Sequence, residues 1–199
     1  MKLYDMPLSG NCYKIRLMLS LLGKEYHSVN VDLKNGDHQT PSFLKLNPRG
    51  QVPVLEDGDT VIWDSTAILI YLARRYGSES WLPLEAREMA EVTQWLAVAQ
   101  NEILYGLARA RAIILFNRPW DMQQCRETGL AILRVMEQHL QHRHWLALDR
   151  PTIADIACYP YVALTPEGGI TLDDYPAILA WIKNIEHLPG YIAMTSISP

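Results

Sequence analysis

The chain begins with a short apolar run, followed by a stretch in which apolar residues recur every three or four positions. The run at residues 2–6 predicts a strand, and the periodic stretch predicts a helix that ends at Gly23. The apolar face of this helix is formed by Ile15, Met18, Leu19 and Leu22. Alternation then predicts a second strand, with apolar positions Val29, Val31 and Leu33. The chain thus opens as strand, helix and strand.

Turn and cap residues delimit the next elements. Thr40 followed by Pro41 predicts the start of a short helix. Residues 57–59, with the sequence Asp-Gly-Asp, predict a tight turn between two short apolar strands. Asp64 then predicts the cap of a helix over residues 65–76. The resulting order, βαβαββα, indicates a small mixed sheet with helices on its faces.

A stretch that contains Gly, Ser and Pro breaks this order at residues 77–83, and no convincing strand pattern follows it. Helical periodicity instead predicts three clear helices, over residues 86–116, 122–141 and 176–187. Gly106 interrupts the first of these helices only weakly. We therefore expect an α/β domain at residues 1–77 and an all-α helical bundle at residues 86–199, with residues 78–85 as the linker.

A further helix is predicted from its cap. Thr152 and Asp155 are spaced as in a capping box, with Asp in place of the usual Glu or Gln. The residues that follow are apolar nearly all round, so this helix is expected in the middle of the bundle, where uncapped backbone donors are costly. Asp155 is therefore interpreted as a structural residue and not as a catalytic acid.

Composition excludes several classes of partner. The net charge of -4 provides no basic field for nucleic acid or an anionic membrane, and an aromatic content of 9% is too small for a base-stacking platform. The sequence has no charged-then-apolar leader and no uncharged apolar run of about 18 residues. We therefore expect no nucleic acid partner, no secretion and no membrane span.

Cysteines and histidines suggest neither disulfides nor a metal site. The three cysteines are scattered, at Cys12, Cys125 and Cys158. This spacing fits neither a disulfide framework nor a metal-binding pair, so a reducing cytoplasm is expected. Three histidines crowd one predicted helix end, at His139, His142 and His144. At that position their simplest role is to complement the helix dipole, and no metal is expected.

Candidate chemistry lies where the first strand meets the first helix, at residues 9–12, Ser-Gly-Asn-Cys. A helix N-terminus favours negative charge, and a Ser9 hydroxyl that donates to a bound thiolate contributes about 1.5 to 3 kcal/mol. The alternative is that Ser9 only caps the helix. Asn11 is a second possible donor. Because the first Cys of a CxxC pair is replaced by Ser9, Cys12 is either a small core residue or a single reactive thiol.

The order of these motifs resembles the cytosolic glutathione transferases, of the bacterial kind with a serine-type active centre. The resemblance rests on residues 9–12, on Gln51-Val52-Pro53, on Asp64-Ser65 and on the later capping box. It implies a thioredoxin-like N-terminal domain, an all-α C-terminal domain and glutathione as the co-substrate. It also places Ser9 at the catalytic serine, with Asn11 sharing its work.

The resemblance further implies the contacts to glutathione. The Val52–Pro53 bond would be cis, and the Val52 backbone would pair with the cysteinyl part, whereas position alone also fits an ordinary edge-strand proline. Asp64 and Ser65 would hold the γ-glutamyl end, although Asp64 is shorter than the commoner Glu. Gln51 belongs to the same set. His38 falls near the family's contact to the glycyl carboxylate, and a solvated loop histidine is the alternative.

A site for the second substrate is expected between the first loop and the long helix. Leu8 lies in that loop, and Tyr105, Arg109 and Ile113 are four residues apart on one helical stripe. If the stripe lines the cleft, Arg109 provides a cation for an acidic or polarised electrophile. Such stripes otherwise serve for packing.

These features predict an enzyme that conjugates the glutathione thiolate to a small electrophile, with the thiolate stabilised by Ser9. The alternatives are a glutathione-dependent peroxidase or disulfide reductase, and a non-catalytic protein of the same fold that binds ligands or proteins. We also predict a homodimer, because the two helices that follow Ser65 carry much apolar surface. The apolar residues concerned are Ile68, Tyr71, Leu72, Trp95 and Leu104.

Overall fold

A four-stranded mixed sheet lies in the N-terminal half of the chain. The computed structural model describes residues 1–195. The last four residues of the predicted helical domain, 196–199, lie outside the described residues. The strand order is β2-β1-β3-β4, with β1 and β2 parallel and the other two pairs antiparallel. The strands are β1 (Lys2–Asp5), β2 (His27–Asn30), β3 (Val54–Asp57) and β4 (Thr60–Trp63).

Helices cover the sheet and form the remainder of the molecule. In the first half these are α1 (Gly10–Leu21), α2 (Pro41–Leu46) and α3 (Ser65–Arg75). In the second half they are α4 (Ala86–Gln100), α5 (Arg109–Phe116), α6 (Met122–Leu140), α7 (Ile153–Ala163) and α8 (Pro176–Glu186). The predicted order βαβαββα followed by helices is therefore confirmed. Short 3₁₀ turns occupy Asp37–Gln39 and Thr165–Gly168.

The second strand is shorter than its alternating pattern predicts, because it ends at Asn30. Val31 is nevertheless buried and packs with Phe43 and Val54 in a small cluster between the sheet and α2. The apolar alternation thus identified residues that face the core, although backbone pairing stops before they are reached.

The prediction of one continuous helix over residues 86–116 is wrong. Helix α4 ends at Gln100, and the backbone then forms a π-helical segment, Ile103–Ala108, before α5 begins. At Gly106 the chain passes very close to α6, since a Cβ added there would lie 2.6 Å from the backbone nitrogen of Gly129. Gly106 is therefore a point of close backbone contact and not a weak interruption. Each residue after the π-helical segment lies on a different side from that expected of a regular α-helix.

Helix α7 occupies the centre of the molecule, as its nearly all-apolar sequence predicts, and it begins with the predicted capping box. The Thr152 side chain accepts from the Ala154 N–H, and the Asp155 carboxylate accepts from the Thr152 N–H at 2.9 Å. Asp155 also accepts from the Leu146 N–H and the Trp181 indole N–H, each at 2.9 Å. Helices of both halves pack against α7, namely α1, α3, α4 and α8. Asp155 thus organises the core, in agreement with its structural interpretation.

The apolar surface from which a dimer was predicted is largely used within the chain. Ile68, Leu72 and Trp95 are buried in the main core, and Tyr71 and Leu104 are partly buried against it. These five residues therefore do not form the free apolar surface from which the homodimer was predicted, and that part of the prediction is wrong. None of the helices in the described part of the chain combines the length and the hydropathy that a membrane span requires.

Candidate active site

Helix α1 begins at the loop that follows β1, and Ser9 is its N-cap. The Ser9 Oγ accepts from the Cys12 N–H at 3.2 Å. A hydroxyl has two acceptor positions and one hydrogen, so capping leaves the Ser9 hydrogen free to donate. The two interpretations of Ser9, helix cap and thiolate donor, are therefore compatible in one geometry.

Helix α3 begins nearby with Asp64 as its N-cap. The Asp64 carboxylate accepts from the Thr66 N–H at 2.9 Å and from the Gln100 side-chain amide at 2.8 Å. Arg49 lies 3.5 Å from its other oxygen. The Asp64 backbone has φ 75 and ψ 126, a conformation that costs about 1 to 3 kcal/mol in a non-glycine residue. Such strain is typical of functional sites, where surrounding contacts hold the residue in place.

The starts of α1 and α3 meet through their side chains. The Ser65 hydroxyl donates to the Asn11 Oδ1 at 3.4 Å, and Ser65 is buried. The structure thus brings Ser9, Asn11, Asp64 and Ser65 to one corner of the molecule. Two helix N-termini at this corner favour an anionic group between them.

The loop before β3 forms the wall next to this corner. The Val52–Pro53 bond is cis, as the resemblance implies. The Asn47 amide donates to the Gln51 carbonyl at 2.7 Å, which fixes the loop. Within the described residues, neither the Val52 N–H nor its C=O has a hydrogen-bond partner. The Val52 backbone is therefore available to an extended ligand.

His38 lies behind the same loop. A Cβ on Gly50 would lie 3.0 Å from the His38 carbonyl oxygen, so the 3₁₀ turn packs directly against the residue that precedes Gln51. The His38 Nδ1 is buried and has no hydrogen-bond partner in the described chain. The structure thus places His38 beside the loop that carries Gln51 and Val52.

A cavity of about 760 Å³ opens beside Ser9. It lies between the loop after β1, the segment after β2, and α5 with the loop that follows it. Its walls are mostly apolar, from Leu8, Val31, Leu33, Ala112, Leu115, Phe116 and Trp120. Polar residues at the same cavity include Ser9, Arg111 and Tyr161. The arrangement suits a small, largely apolar molecule held next to the Ser9 hydroxyl.

Of the four residues predicted for the second substrate, only Leu8 lines this cavity. Tyr105, Arg109 and Ile113 do not. The Arg109 guanidinium lies over the Tyr105 ring at 4.2 Å and over the Trp120 ring at 4.9 Å, while Tyr105 is 45% exposed. The π-helical segment changes which residues of α5 face inward, so the stripe expected of a regular α-helix does not line the cavity.

Arg111 is the buried cation of this cavity, whose lining also includes the exposed Lys34 and Arg118. Its side chain is buried, donates to the Glu167 carboxylate at 2.6 Å, and donates to the Leu8 carbonyl at 2.8 Å. Its Nη2 is buried without a partner among the described residues. Arg111 therefore ties α5 to the loop that carries Ser9.

Sequence reasoning missed four residues at this site, namely Arg49, Gln100, Arg111 and Tyr161. Arg49 stands directly before the Gly50-Gln51-Val52-Pro53 stretch, so its place in the chain was a usable signal. The other three come from the helical half, where the sequence shows only that a helix is present. Their approach to α1 and α3 depends on how the halves pack.

Burial controls the titration of the groups around α1. The Cys12 thiol is completely buried, and desolvation raises its pKa to about 12. Lys14 is also buried, and desolvation lowers its pKa to about 8. The Cys12 thiol is therefore protonated at neutral pH, which is the state expected of a core residue.

The chain matches two family models at corresponding positions. The glutathione S-transferase N-terminal domain matches residues 1–74, and the glutathione S-transferase C-terminal domain matches residues 110–189. A probable glutathione S-transferase GSTF2 of Oryza sativa subsp. japonica is 32% identical, over 99% of this chain and 96% of that protein. This chain belongs to the glutathione S-transferase family.

A solved structure and a second relative extend the comparison. The crystal structure of a glutathione S-transferase from Pseudomonas fluorescens Pf-5 superposes with a TM-score of 0.92, at 39% identity and with 98% of each chain covered. The disulfide-bond oxidoreductase YfcG of Escherichia coli strain K12 is 30% identical, over 94% of this chain and 91% of that protein. The family relationship thus spans both halves of the molecule and includes proteins named for different reactions.

Proposed function

We propose that this protein conjugates the glutathione thiolate to a small electrophile, and that Ser9 stabilises the thiolate. The carrying observation is the position of Ser9, whose free hydroxyl hydrogen lies at the start of α1 and beside a cavity of about 760 Å³. A free thiol has a pKa of about 8.5, and each unit of lowering requires about 1.4 kcal/mol. One charge-assisted hydrogen bond from Ser9 contributes about that amount or twice as much.

Glutathione binding is assigned to the corner around α3. Asp64 and Ser65 would receive the γ-glutamyl end, with the Asp64 charge facing its ammonium group. The unpaired Val52 backbone would extend the sheet edge to the cysteinyl part. Gln51 and His38 lie on the side where the glycyl carboxylate would end. Asn11, which Ser65 holds in place, is the second group near the sulfur.

The electrophile is assigned to the cavity next to Ser9. Its apolar walls favour a small hydrophobic molecule, and the buried Arg111 favours one with a polar or acidic group. Arg111 thus takes the place of Arg109, which does not line the cavity, as the buried cation near the electrophile.

The proposal is tested by titrating the thiolate absorbance of bound glutathione against pH. In Ser9→Ala we expect the thiol pKa to rise by about one to two, and activity at neutral pH to fall about tenfold to a hundredfold, with a much smaller loss of glutathione affinity. Cys12→Ala is the matched control. It should leave the thiol pKa unchanged and cost about 1 to 2 kcal/mol of packing.

Two results would overturn this proposal. If Cys12→Ala abolishes turnover while Ser9→Ala titrates like the wild type, a mixed disulfide through Cys12 replaces the serine mechanism. If the wild-type protein does not bind immobilised glutathione, a non-catalytic ligand-binding or interaction protein replaces the enzyme.

A second candidate function is the reduction of disulfides or peroxides by glutathione. It is favoured by the relationship to the E. coli protein named disulfide-bond oxidoreductase, and the same stabilised thiolate would attack a sulfur or peroxide oxygen. A panel of halides, epoxides, peroxides and disulfides separates the two. Turnover of disulfides or peroxides alone would replace conjugation as the function.

We further propose a cytoplasmic location and a homodimer. Three free, buried cysteines fit a reducing compartment. The dimer is assigned to the outer faces of α3 and α4, where small and apolar side chains are exposed, including Ala67, Ile70, Ala90 and Ala97.

A further inference from the structure

Tyr161 joins the helical half of the molecule to the start of α1. It lies on the central helix α7, and a Cβ added to Gly10 would lie only 2.7 Å from its ring carbon Cε1. Its hydroxyl accepts from the Asn11 N–H at 3.3 Å. The first backbone N–H groups of a helix have no acceptor within the helix, and the phenol therefore provides one for Asn11.

The surroundings of Tyr161 keep its phenol protonated and fixed. The Lys14 ammonium lies 5.5 Å from the ring centroid, on the α1 side. The pKa of Tyr161 is raised to about 12, mainly by burial and also by the nearby Cys12 thiol. The Arg111 guanidinium, the Asn11 N–H and the Ser9 hydroxyl act in the opposite direction. At any pH near neutrality the phenol is thus a neutral hydrogen-bond donor.

The hydrogen-bonding capacity of Ser9 and Tyr161 restricts how they can interact. The phenol oxygen accepts from Asn11, and its own hydrogen needs an acceptor. Ser9 stands two residues before Asn11, lines the same cavity as Tyr161, and uses one acceptor position of its Oγ for the Cys12 N–H. If the second acceptor position takes the phenol hydrogen, the Ser9 hydrogen must point away from both partners, toward the cavity.

We propose that Tyr161 is a positioning residue, whose phenol donates to the Ser9 Oγ and thereby aims the Ser9 hydroxyl at the glutathione sulfur. This inference rests on the proposed thiolate-stabilising function of Ser9. It makes activation of the thiol depend on a side chain of the helical half. The phenol acts through Ser9 and makes no contact with the sulfur itself.

The test compares two tyrosines on the same helix. Tyr161→Phe removes only the hydroxyl, and we expect the pKa of the bound glutathione thiol to rise by about 0.5 to 1. Activity should fall about threefold to tenfold below that pKa and recover at higher pH, with unchanged glutathione affinity. Tyr159→Phe is the control, because the Tyr159 hydroxyl contacts Glu186 and Tyr191 and lies apart from Ser9. It should titrate like the wild type.

Three further arms make the outcomes distinct. In a Ser9→Ala background, Tyr161→Phe should cause no additional rise in the thiol pKa. An additional rise would mean that the phenol acts on the sulfur directly or through Asn11, and would overturn the inference. If Tyr161→Phe fails to fold, 3-fluorotyrosine at position 161 keeps the ring and strengthens the donor, so the thiol pKa should fall. An unchanged pKa with either replacement, while Ser9→Ala raises it, overturns this inference alone. A wild-type thiol pKa that is not lowered overturns the proposed function too.

Discussion

Asp64 combines three roles that are separable only by substitution. It caps α3, accepts a hydrogen bond from Gln100 of the helical half, and lies next to Arg49. Its positive φ is held by these contacts on both sides. The sequence indicated the cap, because a cap is a local pattern. It could not indicate Gln100, which is 36 residues away and arrives only when α4 packs beside α3.

The charge of Asp64 is predicted to matter more for glutathione than for the fold. Asp64→Asn keeps the shape and an acceptor oxygen but removes the charge facing the γ-glutamyl ammonium. We expect glutathione affinity to fall by about tenfold to a hundredfold, from the loss of about 1.5 to 3 kcal/mol, and stability to fall by less than about 1 kcal/mol. Calorimetric titration with glutathione and urea unfolding measure the two effects.

Asp57→Asn is the control for this charge change. Asp57 accepts from the Tyr71 and Tyr76 hydroxyls on the far side of the hairpin. Its replacement should leave glutathione affinity within about twofold, since surface charges at a distance are screened. Equal losses in both variants would argue against a direct contact between Asp64 and glutathione.

Lys14 is a buried charge whose removal should stabilise the protein. Its side chain is 1% exposed, and burial lowers its pKa from 10.5 to about 8. Lys14→Met should raise the free energy of unfolding at pH 7 by about 1 to 3 kcal/mol, because no desolvated ammonium remains. Urea unfolding of both proteins at pH 7 and pH 9.5 gives the measurement.

The pH dependence of that difference has a definite sign. Above about pH 8 the folded protein holds Lys14 neutral, while the unfolded chain stays protonated up to about 10.5. The unfolded state then binds more protons, so the wild type gains stability relative to Lys14→Met as the pH rises from 8 toward 10.5. The difference between the proteins should therefore shrink at pH 9.5. A difference of the same size at both pH values would contradict the lowered pKa of Lys14.

At the scale of elements, a feature formed by residues close in sequence could be predicted, whereas a feature formed by packing between two helices could not. The capping box at α7 was predicted in full, because Thr152 and Asp155 are three residues apart and their bonds are local. The π-helical segment was not, because it exists where Gly106 meets Gly129 of another helix. A Gly inside a periodic pattern does not show which backbone approaches it. The acceptor stripe was misplaced for the same reason.

Gly106→Ala is expected to be destabilising despite the higher helix propensity of Ala. The new methyl would lie 2.6 Å from the Gly129 nitrogen and 2.8 Å from its Cα, both backbone atoms that cannot rotate away. We expect a loss of about 1 to 3 kcal/mol in urea unfolding, and a smaller cavity beside Ser9 if α5 shifts. Gln138→Ala, on the exposed face of α6, is the control and should change stability by less than about 0.5 kcal/mol. If the Gly106→Ala variant were more stable than the wild type, the Gly129 backbone would have moved to accommodate the methyl group, and the prediction would be wrong.

At the scale of the whole molecule, the two halves are joined around α7 and by the segment before α4. Arg74 donates to the Leu82 and Pro83 carbonyls, each at 2.7 Å, and Arg150 donates to the Ser80 carbonyl. The division at residues 78–85 stays a prediction, and these contacts cross it. The sequence predicted the class of each half from its periodicity. It could not predict Tyr161 at the start of α1, because that contact joins residues 150 positions apart.

Self-association is predicted through the outer faces of α3 and α4, defined by the exposed residues Ala67, Ile70, Ala90, Thr93 and Ala97. Ile70 is 40% exposed, and the small residues around it allow two copies to approach closely about a two-fold axis. In sedimentation at micromolar concentration we expect about twice the chain mass of 22.7 kDa. Ile70→Glu would meet its own copy near the axis, and two buried like charges should shift the protein to the monomer. Val135→Glu, at a site that is 55% exposed on α6, should remain a dimer. A wild-type monomer, or equal dissociation of both variants, would rule out this face.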